Sequence, residues 1–229
     1  MAANTGVRTL IPALLPPGAA HVDAIYSMAG DSPLSTVLAL GAFSSLVADF
    51  LVRVSPKGDI RTSTINRLPL VTTPAVQDAL IERTLKLNCL TDAYAPIWEE
   101  LMGTEWTPDS PLRNAQERRQ ALVEIDALVA LDLGITADEL CTLYRTQFPV
   151  LYGYDTKRDH YDANGRLVPK DVMDVWKKKK GEGLTEAELT WTHPQSGAEY
   201  LYVLPFRLLD REDDMREAYA RFEAELLDG

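Results

Sequence analysis

Between Arg53 and Arg67 the chain sets four cations, Arg53, Lys57, Arg61 and Arg67, against one acid, Asp59, and interleaves them with Thr62, Ser63 and Asn66. Arginine and lysine neutralise phosphates, while Arg, Asn and Thr carry donors and acceptors that match base edges in the major groove. This is the chemistry of binding rather than of bond breaking. A solvated loop whose arginines cover a helix end would have the same composition, with Arg67 packed beside Leu68. Support is what separates the two: an apolar run from Gly41 to Val52 precedes the loop, and Leu68-Pro69-Leu70 follows it.

The other reactive residues assemble less. His21, His160 and His193 are irregularly spaced, and neither Cys89 nor Cys141 sits at ligand spacing from a histidine. Asp155, Asp159, Asp162 and Asn164 lack the alternation and the closing glutamate of a calcium loop, so they read as a turn-rich surface. Lys177–Lys180 is a phosphate patch or, more simply, a solvated helix end favoured by the helix dipole. Arg113, Arg118 and Arg119 form a cluster that i,i+4 pairing along a helix accounts for. Trp98, Trp106, Trp176 and Trp191 could stack bases, but spread over four elements they read as core anchors. Gly181-Glu182-Gly183 has no strand before it and no Gly-Lys-Ser after it, which excludes a phosphate loop.

The elements that must position these residues are mainly helical. Arg8–Leu15 reads as a β-run interrupted by Pro12, and Val22–Met28 as a second short strand. Asp31 or Ser32 caps a helix opened by Pro33 that should run to about Val52, with Leu34, Leu38, Ala42, Leu46 and Phe50 on one stripe. Thr73 and Pro74 open a second helix that Pro96 should kink or interrupt. The breakers Gly103, Pro108 and Pro111 mark a boundary. A third helix runs from about Asn114 to Leu133 and stops at Gly134, and Thr136 to Glu139 is a capping box for a fourth that ends before Pro149. Asn164-Gly165 is a tight-turn signal; Asp171–Lys180 forms a short helix; strands at 188–191 and 199–204 flank Pro194–Gly197 as a hairpin. Leu208–Leu227 closes the chain as an acidic helix. The fold class is α+β, mainly helical, with small β elements at the N-terminus and a C-terminal hairpin. Two regions follow: 1–102, which carries the basic loop, and 103–229, helical with the hairpin and the acidic terminal helix.

The chain has 229 residues, is 46% hydrophobic and carries a net charge of −11, enough apolar content for a core and the wrong sign for a free-standing nucleic-acid binder. A local basic edge still reaches phosphates when a larger partner supplies the field. The two cysteines read as buried apolar groups in a reducing, cytoplasmic compartment. The N-terminus shows no signal-peptide pattern. Residues 32–48 are uncharged but barely long enough for a bilayer and rich in serine, so a buried helix is the better reading.

Four segments resemble the C-terminal target-recognition region of large adenine-N6 DNA methyltransferases: the single-chain type IIG restriction–modification enzymes and their relatives in the BREX and DISARM phage-defence systems. They are Arg8–His21; Ala42–Arg53 with Thr64–Val71; Arg118–Leu133 with Thr136–Leu140 and Gln147–Val150; and Leu204–Phe206 with Asp210–Phe222. Together, and in family order, they cover about half the chain. The family's loop often reads Gly-Gly-Thr with an aromatic nearby; here Lys57-Gly58-Asp59-Ile60-Arg61 stands instead, so base preference does not carry over.

The resemblance implies DNA contact through Arg53, Lys57, Arg61, Thr62, Ser63, Asn66 and Arg67. It also implies double-stranded DNA and a methyltransferase subunit or domain as partners. The family's Asn-Pro-Pro-Tyr tetrad, which holds the flipped adenine, is absent; Asp31–Leu34 and Asp109–Leu112 lack its second proline and its ring. The chain is therefore expected to hold no cofactor and to catalyse nothing alone, S-adenosylmethionine belonging to the partner. The acidic terminal helix would face the partner or solvent. The alternative is an interaction module that docks the methyltransferase and touches no DNA.

Overall fold

The computed structural model describes residues 6–22, 25–55 and 60–226. Helix α6 (Ala115–Asp132) is the central rod of the fold. Its second half, with Val123, Ile125, Ala127, Leu128, Val129 and Ala130 fully buried, is apolar on nearly every side, the pattern of a helix enclosed by others. Around it pack α1 (Pro33–Phe43), α2 (Leu46–Arg53), α4 (Pro74–Asn88), α7 (Ala137–Gln147) and the terminal α11 (Arg211–Leu226). This one core joins residues from Leu10 to Phe222 and does not divide at the 103–111 loop.

Local signals start and stop these helices. Ser32 forms a capping box with Ser35 ahead of Pro33, and Thr136 forms one with Glu139. Asn114 caps α6 and also donates to the Asn164 carbonyl at 2.6 Å, tying the helix to the 162–165 turn. Gly134 ends the α6 run with φ 68°, a conformation other residues adopt at a cost. After α4 the chain makes a 3-10 turn at Asp92–Tyr94 and re-enters helix as α5 (Ala95–Met102), with Pro96 in its first turn. Val37, Ile81, Leu85, Cys89 and Trp98 fill a satellite core between α1, α4 and α5. Gly41 lets α1 and α4 approach closely: a Cβ there would stand 2.5 Å from Thr84 Oγ1 and 2.8 Å from Leu80 Cγ.

The chain after α7 stays on the main core through a short α8 (Pro149–Gly153), whose Leu151 is buried there, and then forms a small lobe. Helix α8 runs into a π-turn at Tyr154–Arg158; α9 (Lys170–Lys178) and α10 (Glu186–Leu189) lead into β1 (Thr190–Thr192), which pairs antiparallel with β2 (Glu199–Leu201). The hairpin lies over Val168, Val172 and Met173, with Tyr202 and Phe206 completing this third core. The fold is mainly helical α+β, as the patterning implies, and β1–β2 is the one sheet among the described residues.

The hairpin strands are shorter than expected, because Glu188 and Leu189 end α10 and β2 stops at Leu201, and two larger expectations fail. The helix expected from Pro33 to Val52 breaks at Ser44-Ser45 into α1 and α2, bent by 71°. Ser45 caps α2, and the buried carboxylate of Asp126 takes the Leu46 N–H at 2.7 Å, so the amide that would have continued α1 is satisfied from α6 instead. No single helix among the described residues is long and apolar enough to cross a membrane.

The N-terminal β-runs are not strands. Asp49, fully buried on α2, accepts from Arg8 Nε at 2.6 Å and from the Thr9 N–H at 3.1 Å. Arg8 Nη2 also donates to the Ser44 and Ser45 carbonyls at the α1–α2 corner. Bonds that would have built a ladder hold a strap across the bend. In the second run the Ile25 N–H turns back to the Val22 carbonyl at 3.0 Å, and 25–28 form no strand; Asp23 and Ala24 lie outside the described residues.

Candidate nucleic-acid interface

After α2 the described chain resumes at Ile60 and forms a one-turn helix, α3 (Thr62–Ile65), with Arg61 at its N-cap position and no side-chain cap bond. Thr64 and Leu68 are buried, and Ile60 and Ile65 pack half-buried against the main core. These four anchors leave Arg61, Thr62, Ser63, Asn66 and Arg67 exposed on one raised edge. The Asn66 N–H donates to the Thr62 carbonyl at 2.9 Å, so the turn fixes the spacing of the polar groups. Thr62 shares a 2.7 Å hydrogen bond with the Tyr26 hydroxyl, which brings the 25–28 segment beside the edge. Neither Arg61 nor Arg67 makes an ion pair with any described residue. The edge thus presents two guanidinium groups that pair with no described carboxylate, beside hydroxyl and amide groups on backbone held by the core. That arrangement can take phosphates and base edges.

Arg53 is not part of this edge. Its guanidinium turns inward, donates to the Gln147 carbonyl at 3.0 Å, lies 4.5 Å from the centre of the Phe148 ring and comes within 4.0 Å of Asp49. With its side chain 9% exposed, it closes the C-terminal end of α7 and packs the α2–α7 contact. The helical pair Asp49/Arg53 carried the signal, since an acid four residues before a cation on an apolar helix commonly serves that helix. Lys57 lies outside the described residues.

The other basic clusters are also used internally. Arg113 donates to the Pro108 and Leu90 carbonyls, and Arg118 to those of Leu87 and Leu112, so both staple loop 103–114 to α4 rather than pairing along α6. Arg119 is buried and pairs with Asp214 at 2.5 Å.

Sequence reasoning missed a buried ionic network beneath α11. Arg211 Nε meets Asp155 Oδ2 at 2.6 Å and its Nη1 lies 3.6 Å from Asp126, while the Tyr144 hydroxyl donates to Asp155 at 2.9 Å. Burial raises the Asp126 carboxyl to about 6, against the pull of Arg8, Arg211 and the Leu46 N–H. Burial, then the Asp155 charge, pushes the Tyr144 hydroxyl above its ordinary range. Asp126, the one acid in the apolar stretch 125–131, is the feature that the sequence offers. These perturbed groups are sealed from solvent and serve the fold.

A surface groove of about 670 Å³ runs between α4, α6, α11 and the 162–165 turn. Most of its cations are paired within it: Arg83 and Arg221 both bind Glu124, and Lys86 binds Glu82. Burial raises Glu124, but the two arginines outweigh it and hold the carboxyl below its usual range. Asp162 accepts from the Asn164, Arg166 and Val203 amides, which spends it on the turn. No group of three metal-ligating side chains occurs among the described residues. Burial raises both Cys89 and Cys141 to about 11, which leaves their thiols unreactive. No protein-family model, curated protein or solved structure matches this chain.

Proposed function

We propose that this chain is the DNA target-recognition and C-terminal part of an adenine-N6 DNA methyltransferase system, of the restriction–modification or phage-defence kind, and that it works in the cytoplasm beside a partner subunit or domain. The partner binds S-adenosylmethionine and flips the adenine; this chain clamps the duplex and sets sequence preference. The observation that carries the reading is the exposed edge of Arg61, Thr62, Ser63, Asn66 and Arg67, anchored on Thr64 and Leu68, with neither arginine ion-paired to a described residue. The four-segment resemblance supports it, and the edge falls within its second segment. The net charge of −11 agrees with a chain that touches DNA locally and takes most of its electrostatic attraction from elsewhere.

One observation favours a second reading, a docking module without DNA contact. Ile11, Leu15, Val22, Ile25, Tyr26 and Met28 are all exposed, Ile11 to 80%, which is a high share of uncovered apolar side chains for one stretch of chain. The test begins with recovery of the tagged chain from its native host and identification of what accompanies it. A methyltransferase with an intact Asn-Pro-Pro-Tyr motif is expected; a monodisperse chain with no such companion would sink the assembly. In the recovered complex, Arg61→Glu with Arg67→Glu then separates the readings, because the docking module predicts unchanged duplex affinity.

A further inference from the structure

The hairpin of the small lobe carries a row of planar groups on one face. Trp191 and Tyr200 are directly opposed across β1 and β2, so their rings share a side of the sheet, with centroids 6.4 Å apart. His193, two residues beyond Trp191, continues that side and meets the indole edge-on at 5.4 Å. At the other end the Arg166 guanidinium lies 6.0 Å from the centre of the Tyr200 ring and donates to the Leu201 carbonyl at 3.3 Å. Guanidinium, phenol, indole and imidazole therefore follow one another along the hairpin. Trp191 rests its lower edge on the Val168–Met173 core, while Tyr200 stays 39% exposed.

The row is held in place. The His193 N–H closes on the Ala198 carbonyl at 2.8 Å, and its Nδ1 accepts from the Gln195 and Ser196 amides at 3.3 and 3.2 Å. With Nδ1 an acceptor, the neutral ring carries its proton on Nε2 as a free donor. Arg166 has no carboxylate partner among the described residues.

Charge identifies what such a row takes. Residues 153–208 hold nine basic and nine acidic residues, so the whole net charge of −11 belongs to the rest of the chain. Two of those acids, Asp155 and Asp162, are buried, so cations outnumber acids by two on the surface of this segment, and Lys177, Lys178 and Lys180 are exposed at the end of α9. Aromatic rings that stack bases, beside cations that follow the backbone, are the common device of single-strand binders.

We infer that the Arg166–Tyr200–Trp191–His193 row is a stacking platform for unpaired nucleotides, with Arg166 and the α9 lysines facing the phosphates. The rings accept any base; the His193 Nε2–H supplies one donor to a base edge or phosphate. This site is independent of the Arg61–Arg67 edge, which reads duplex under the proposed function.

The full chain is titrated with a fluorescein-labelled oligothymidine and, separately, with a duplex, at low salt, by anisotropy and tryptophan quenching. Oligothymidine is expected to bind and to quench tryptophan. Tyr200→Ala and Arg166→Glu should each weaken it by about fivefold or more, the low end for loss of one stacking partner. Tyr200→Phe, which keeps the ring, should bind as the wild type does, and Arg61→Glu with Arg67→Glu should weaken oligothymidine binding less than Tyr200→Ala does and leave the tryptophan quenching at saturation in place. Circular dichroism and melting of each variant check the fold. Absence of wild-type binding, or Tyr200→Ala binding as tightly as wild type, overturns the inference. So does binding of a polyproline peptide to the row in place of the oligonucleotide. Unchanged duplex affinity of the Arg61→Glu with Arg67→Glu variant in the assembled complex, with oligothymidine binding intact, counts against the Arg61–Arg67 edge and not against this site.

Discussion

The carboxylate of Asp126 accepts the Leu46 backbone N–H at 2.7 Å, across 80 residues of sequence, and this bond makes the corner between α1 and α2. Asp126 is fully buried on the central helix, with Arg211 at 3.6 Å on its other side. The corner in turn sets the direction of α2 and the start of the segment that leads to the exposed edge.

Asp126→Leu should destabilise the chain by about 1–3 kcal/mol, because it orphans the buried Leu46 N–H, whereas Asp126→Asn keeps an acceptor and should cost less. The Asp126 carboxyl is raised to about 6 in the folded chain, above its unfolded value. The stability it contributes is therefore fully present below about pH 4 and is lost as pH rises through about 6. Relative to Asp126→Asn, the wild type should lose up to about 3 kcal/mol across that window. Urea denaturation at a series of pH values reads the difference; a gap between the two proteins that widens in the wild type's favour as pH rises would contradict it.

Removal of one partner from the Asp155–Arg211 pair should be far costlier than removal of both. Asp155→Ala leaves Arg211 buried with one distant carboxylate and should cost about 3–5 kcal/mol. Asp155→Leu with Arg211→Met should cost less than the sum of its single changes. A double-mutant cycle by chemical denaturation decides it, and strict additivity would show that the pair does not act as a unit.

Arg53 and Arg61 should separate cleanly. Arg53→Ala removes the donor to the Gln147 carbonyl and the group stacked on Phe148, and should lower stability by about 1–3 kcal/mol. Arg61→Glu with Arg67→Glu should leave the melting temperature nearly unchanged, since surface changes usually stay within about 0.5 kcal/mol. In the assembled complex the same pair should weaken duplex binding and lower the salt slope by about two. Thermal melting alongside a salt titration of duplex affinity distinguishes the two classes of arginine.

Gly41→Ala tests the contact between α1 and α4. Alanine favours a helix over glycine by about 1 kcal/mol, but the added methyl would meet Thr84 Oγ1 and Leu80 Cγ, both below 3 Å. Overpacking should win, with a net loss of about 1–3 kcal/mol by denaturation. A stabilised variant would show that α4 shifts away at little cost.

The sequence by itself determined the elements whose causes are local. Ser32-Pro33, Asn114, the Thr136–Glu139 box and Gly134 bound their helices because a cap is a contact among residues three or four apart. The hairpin at Pro194–Gly197 and the tight turn at Gly165 were legible for the same reason. The exposed row Arg61, Thr62, Ser63, Asn66 and Arg67 could be named from composition and resemblance, and it lies together on one edge. Only the tertiary structure decided what depends on partners far along the chain. Arg8–Leu15 has strand composition, yet Asp49 takes its bonds; the uncharged run 32–48 reads as one helix, yet Asp126 breaks it. Arg53 has the charge of its neighbours in the basic loop, yet Gln147 and Phe148 draw it into the core. Buried polar groups must find partners wherever the fold brings them, and no pattern within a short window shows which will be there.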